Sequence, residues 1–176
     1  MSQAPHVNHA DVFYQGQIYP LSHLNGFDFS YGGLDTASGQ ITSFDVRVLF
    51  GDHCYTSGVP HAEAYDPAAV VSRSVREVRV LSLERYRLSH MLPELVRGLM
   101  DRPCYFGDQD NFFTIDLSTG EKYNVYFTVS KVEKRGGLRL RIQSSYLRPR
   151  VDRLQKVRFG LILRGVRDNR PVKPPR

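Results

Sequence analysis

Apolar residues recur along this chain mostly at intervals of two, the spacing of a half-buried strand, and over one long stretch at intervals of three and four. Val12–Tyr14 and Gln17–Tyr19 flank Gln15-Gly16, which predicts a short hairpin. Phe27, Phe29 and Tyr31 alternate with polar neighbours and predict a strand that ends at Gly32-Gly33. Ile41–Phe50 is β-branched and aromatic and predicts a strand running to Gly51-Asp52. Residues 58–67 hold Gly58, Pro60 and Pro67 with little periodicity and read as a loop. Val70–Val71 and Glu77–Leu81 are shorter strand signals. Leu88, Met91, Leu92, Leu95, Val96, Leu99 and Met100 form one apolar stripe at helical spacing. That helix is expected to start near Ser89 as N-cap, with Pro93 in its first turn, and to close at Arg102-Pro103. Ser82–Leu88 is a candidate for a separate helical turn before it.

Four strand signals follow: Asn111–Leu117, Lys122–Val132, Leu138–Leu147 and Lys156–Arg164. Ser118-Thr119-Gly120 and Lys134–Gly137 punctuate the first three, and loops this short predict an antiparallel meander. Strict alternation puts Leu138, Leu140 and Ile142 on one face with Ser144 and Tyr146, and Arg139, Arg141, Gln143 and Ser145 on the other. In the fourth strand Val157, Phe159, Leu161 and Leu163 oppose Arg158 and Arg164. The expected fold class is α+β: one main helix packed on a four-stranded antiparallel meander, preceded by a β-rich N-terminal portion. Residues 1–10 are expected to be disordered. Residues 11–166 are expected to form a single domain, with a β-rich half (11–81) and a helix-plus-meander half (82–166). Residues 167–176 are expected to be a basic, Pro-rich extended tail.

Composition changes this picture in one respect. The chain has 176 residues, and its 24 Lys+Arg outnumber its 18 Asp+Glu, a net of +6. From Lys131 to Arg176 there are 15 basic and 3 acidic residues, so the rest of the chain is net negative. A basic quarter dominated by arginine favours a polyanion. The arginine face of the last two strands, with Tyr126 out of step with Val125 and Phe127, groups Tyr126, Arg139, Arg141, Arg158 and Arg164 as nucleic-acid contacts. The expected partner is RNA rather than DNA, or else an acidic protein. The same pattern also fits an ordinary solvent face covered by arginine stems. No apolar run approaches the roughly 20 residues of a membrane span, and no secretory leader is visible, so a cytoplasmic location is expected. Two cysteines, Cys54 and Cys104, exclude a disulfide scaffold and a four-cysteine zinc site and are expected to be free thiols.

Candidate chemistry is sparse. His53 and His61 are candidate proton-transfer groups, and Ser144, Ser145 and Tyr146 place hydroxyls and a ring at the end of a strand. A His53–Cys54 dyad is disfavoured because adjacent strand residues point to opposite faces. His53, Cys54, His61 and Asp66 match no zinc spacing, so neither a metal nor a cofactor is expected. His23 is expected to cap locally, His90 to sit at the helix start, and His6 and His9 in the frayed terminus. Arg85, Tyr86 and Arg87 can reach the same region or face solvent.

The order helix, then meander, ending in a strand Arg139–Tyr146, resembles the metal-independent bacterial ribonuclease toxins of the barnase and RelE type over about residues 88–165. That resemblance implies cleavage through the RNA 2′-hydroxyl on the exposed sheet face, with Ser144 and Tyr146 at the strand end and arginines on the phosphates. The long N-terminal half departs from it. The Leu21–Leu24 and Asp52–Thr56 segments and the closing Pro-Pro tail also resemble proteins of bacterial mobile elements, a likeness that carries no activity. The function expected is a metal-independent endoribonuclease toxin with His53, His61, Ser144 and Tyr146 as catalytic candidates. The alternative is a non-catalytic nucleic-acid- or protein-binding component of a mobile element or defence system.

Overall fold

The computed structural model describes residues 8–34, 41–60, 63–75, 77–106, 111–132, 137–148 and 155–170. β1 (Val12–Tyr14) and β2 (Gln17–Tyr19) form the expected hairpin. Its two turn residues, Gln15 (φ 51°) and Gly16 (φ 76°), are both left-handed, as a two-residue turn between right-twisted strands requires. Residues 8–10, expected to be frayed, are docked. His9 Nε2 lies 3.0 Å from the Phe50 carbonyl, and the Tyr55 hydroxyl lies 3.3 Å from His9 Nδ1.

β3 (Phe27–Leu34) pairs antiparallel with β4 (Ile41–His53). The glycine pair does not end β3. Gly33 continues the ladder opposite Thr42, and the Met100 methyl fills the space that a Cβ there would take. β5 (Thr56–Val59), β6 (Val70–Arg73) and β7 (Val78–Leu81) make a separate three-stranded sheet in the order β5-β7-β6.

The candidate turn at Ser82–Leu88 is a helix of its own, α1 (Leu83–Ser89), and the main helix is shorter than its stripe, α2 (Leu92–Arg97). Pro93 sits in the first turn of α2, as expected, where its missing N–H leaves no hydrogen bond unmade. Ser82 is the N-cap of α1, its Oγ accepting the Arg85 N–H at 3.4 Å, and the N-cap of α2 is Met91, not the expected Ser89. The stripe itself is buried as its spacing demands, at Leu92, Leu95, Val96 and Leu99.

β8 (Pro103–Phe106), β9 (Asn111–Asp116), β10 (Lys122–Lys131) and β11 (Leu138–Arg148) form an antiparallel meander. Pro103 therefore begins a strand of the meander. The segment read as a fourth strand is β12 (Lys156–Arg158), paired antiparallel with β8, followed by α3 (Phe159–Arg167). Both periods fit that sequence. Alternation predicts Leu161 inside, whereas Phe159, Ile162, Leu163 and Val166 fall at helical spacing, and the helix wins. Ile162 is 2% exposed and Leu161 is 49% exposed.

The seven-stranded sheet has the order β12-β8-β9-β10-β11-β4-β3 and curls into a half-barrel. Its one parallel pair, β11 with β4, joins the N-terminal strands to the meander in a single sheet. The molecule is α+β in the broad sense, mostly strand with three short helices. On the inner face the Phe159 ring meets Tyr31 at 5.1 Å and Phe127 at 5.7 Å, both edge-on, which seats α3 over β10 and β3. Leu138, Leu140, Ile142 and Phe159 are buried there as expected. Cys54 and Cys104 are free and buried.

Candidate nucleic-acid interface

The site is made by an irregularity in β11. Leu138, Leu140 and Ile142 point into the core, and Arg139 and Arg141 point out and are exposed. Opposite β10, Ile142 pairs with Phe127 and Ser144 with Tyr126, leaving Gln143 as an extra residue. Such a bulge shifts the alternation by one. Ser145 turns inward, fully buried, and accepts a hydrogen bond from the Tyr123 hydroxyl at 2.8 Å. Ser144 and Tyr146 consequently join Arg139 and Arg141 on the outer face, the reverse of strict alternation. On the other side β4 places His53 opposite Ser144. Three of the four catalytic candidates, His53, Ser144 and Tyr146, thus come together beside Tyr126. His61 lies outside the described residues.

Cross-strand pairing lines up a column of rings on this face. Tyr105 meets Phe112 at 5.4 Å (29°), Phe112 meets Tyr126 at 5.2 Å (33°), and Tyr126 meets Tyr146 at 5.2 Å (17°). Near-parallel rings at these distances stack on each other. The Arg85 guanidinium, held at the end of β4, lies over the Tyr146 ring at 5.0 Å. The Arg148 guanidinium lies over the same ring at 5.3 Å, so Tyr146 is in contact with Tyr126, Arg85 and Arg148. What the column offers outward is its hydroxyl edge. Arg148 donates to the Tyr146 hydroxyl at 3.0 Å, and Asn124 Nδ2 donates to that of Tyr126 at 3.4 Å. Burial, aided by the hydrogen bond with Tyr146, raises the Tyr126 phenol above its ordinary pKa. Asn124 is 2% exposed, and its Oδ1 has no hydrogen-bond partner among the described residues; neither has the neighbouring Thr114 Oγ1.

At the β4 end the column runs into a charged network. His53 Nε2 lies 3.6 Å from Glu77 Oε1 and 3.9 Å from Asp52 Oδ1. Glu77 is already paired with the buried Arg79 at 2.7 Å. Arg79 also donates to Thr56 Oγ1 at 2.8 Å and to the Thr56 carbonyl at 3.0 Å. Partial burial, and then Arg79, lower the His53 pKa against the opposite pull of Asp52 and Glu77. Arg85 Nη1 bridges the carbonyls of His53 (3.2 Å) and Thr56 (2.9 Å). The Cys54 thiol turns away, donating to the Ile142 carbonyl at 3.8 Å, and burial pushes its pKa up to about 12. Cys54 lies in the turn after β4, and its thiol makes no hydrogen bond to His53 among the described residues.

Arg158 and Arg164 do not join Arg139 and Arg141. Arg158 is on β12, four strands from β11, about 19 Å along the sheet at ~4.8 Å per strand. Arg164 is on α3, which packs on the opposite face. The sequence reading missed Arg148, Asn124 and the role of Arg85. Once the bulge is known, alternation reaches Arg148 from Tyr146 and Asn124 from Tyr126. Arg85 comes from α1, and strand periodicity carries no signal for it. His23, expected to cap locally, bonds Ser89 Oγ at 2.7 Å and stacks on His90 at 3.8 Å. His90 is the C-cap of α1, not a helix start. Among the described residues no three His, Cys, Asp or Glu side chains converge as a metal site, and no helix is long and apolar enough to cross a membrane.

The chain belongs to the YjaZ family, whose model matches residues 11–167. That match carries no link to ribonuclease toxins. No curated protein and no solved structure matches the chain.

Proposed function

We propose that this member of the YjaZ family binds single-stranded RNA along the outer face of β10 and β11. The observation that carries the reading is the bulge at Gln143, which puts Arg139, Arg141, Ser144 and Tyr146 on one side beside Tyr126. Arg139 and Arg141 stand about 6.8 Å apart at two strand residues' rise, a spacing suited to successive phosphates of an extended strand. Neither makes an ion pair with a described carboxylate, whereas Arg47, Arg79 and Arg167 each do. The phenol edges and Ser144 offer hydroxyls to 2′-hydroxyls, the group that separates RNA from DNA. The rings stack on one another within the column, so recognition runs through backbone and sugar and is tolerant of sequence.

A second reading, endoribonuclease action, is favoured by the placement of His53. A neutral imidazole beside a phosphate-binding arginine can take the proton of a 2′-hydroxyl. Purified protein incubated with single-stranded RNA, structured RNA and matched DNA in EDTA separates the readings. Salt-dependent binding of single-stranded RNA without cleavage supports the first. Cleavage abolished by His53→Gln establishes the second. Equal or tighter binding of the DNA overturns the assignment to RNA.

A further inference from the structure

We propose that Arg85 is a seat for a phosphate group, which on the RNA-binding reading above is one phosphodiester of the bound strand. Three observations meet at this residue. First, its guanidinium is fixed in place: Nη1 bridges two carbonyls at the β4–β5 turn, and the group lies over the Tyr146 ring at 5.0 Å. Second, it is half-buried and makes no ion pair with a carboxylate among the described residues. Glu84, its neighbour on α1, makes no ion pair with it, and the nearby Glu77 is engaged by Arg79. A half-buried guanidinium whose free N–H groups still reach solvent is a ready place for a ligand that brings negative charge. Third, Nε and Nη2 have no hydrogen-bond partner among the described residues. Two parallel N–H groups in one plane form the fork that phosphate oxygens accept bidentately. Burial, and then Arg79, lower the Arg85 pKa, and an anion at the fork would relieve both effects.

The seat lies at one end of the hydroxyl edge, next to His53 and away from Arg139 and Arg141 along β11. A strand lying on that edge would be held at both ends. Arg85 also deserves separation from a scaffolding role, because its Nη1 bonds hold the β4–β5 turn. Arg85→Lys retains the charge without the fork, and thermal unfolding of each variant reports any loss of fold.

The test uses the full chain. Fluorescence anisotropy with a 5′-labelled oligouridine RNA is measured across a salt series for the wild type, Arg85→Gln and Arg85→Lys. In parallel, the Arg85 Nε–H resonance, assigned by its absence in Arg85→Gln, is followed during titration with inorganic phosphate. The expected result is about tenfold weaker RNA binding for Arg85→Gln and a salt slope shallower by about 0.7, with Arg85→Lys keeping the slope but losing affinity. The Nε–H signal should shift saturably with phosphate. If the wild type binds RNA and Arg85→Gln binds it with the same affinity and slope while folded, the seat is refuted and the RNA reading stands. If no RNA binds but phosphate shifts Nε–H saturably, the seat stands and the RNA reading falls. If neither ligand has an effect, both fall.

Discussion

The segment after Lys156 admits a decisive test, because two periodicities compete there and assign opposite fates to adjacent residues. As a strand, Phe159, Leu161 and Leu163 would be inside and Ile162 outside; as α3, Phe159 and Ile162 are inside and Leu161 is half-exposed. Phe159→Ala removes a fully buried ring worth about 3 kcal/mol in apolar burial. It also deletes two edge-on contacts, with Tyr31 and Phe127, worth ~0.5–1.5 kcal/mol each. These sum to about 4–6 kcal/mol, and since deletions of such rings cost about 3–5 kcal/mol, the expected loss is about 4–5 kcal/mol. For a chain of this size that lowers Tm by roughly 8–20 °C. Ile162→Lys, which drives a charge into the same core, should be at least as damaging as about 3 kcal/mol. Leu161→Lys should cost under about 1 kcal/mol. Urea unfolding followed by circular dichroism measures all three. If Leu161→Lys costs as much as Phe159→Ala while Ile162→Lys is near neutral, the segment is a strand and the helix is wrong.

Cys54 and Cys104 are buried, and burial pushes both thiols up to about 12. Both should react with a thiol reagent promptly in denaturant without reductant and only slowly in the native protein; an intramolecular crosslink seen by mass would contradict this. Burial, and then His90, lower the His23 pKa from 6.5 to about 4, so the unfolded chain binds more protons between those values. Stability should be intact above about pH 6.5 and fall progressively as pH drops to about 4, and Tm against pH should be flatter in His23→Gln over that window. Arg139→Ala with Arg141→Ala should make the salt slope of RNA binding shallower by about 1.4 with little change in Tm. Arg158→Ala should act independently of that pair, and truncation from Pro171 should weaken binding less than the pair does.

Much of the fold is legible in the sequence because its signals are local. The β1–β2 hairpin follows from Gln15-Gly16, and β4, β9, β10 and β11 follow from runs of β-branched and aromatic residues bounded by turns. What escaped depends on partners distant in sequence. The parallel pairing of β11 with β4 joins residues some ninety positions apart, and no local pattern announces it. Gly32-Gly33 reads as a stop until Met100 is known to pack against it. The bulge at Gln143 is hidden because Gln143, Ser144 and Ser145 are all polar, so a slip of one residue leaves no mark on the hydrophobic pattern. That slip nevertheless decides which of Ser144, Ser145 and Tyr146 face the arginines.

The same slip bears on what segment charge can say about a binding surface. The last quarter of the chain is strongly basic, yet the topology spreads its arginines within the described elements over three places: the outer face of β11, the far edge at β12, and α3 on the opposite layer. Some are also matched locally, as Arg167 is by Asp168 at 2.9 Å. Among the described residues, the guanidinium groups on the outer face of β10 and β11 are a few residues of one strand. The set is extended at one end by Arg85, which comes from the part of the chain whose net charge is negative. Electrostatic attraction falls off within a Debye length of about 8–10 Å for exposed charges at physiological salt, so arginines about 19 Å away contribute little to a ligand on β11. A surface of this kind is set by strand parity and by which guanidinium groups lack carboxylate partners. Its strength should accordingly follow substitutions at Arg85, Arg139 and Arg141 more closely than any change in the overall charge of the chain.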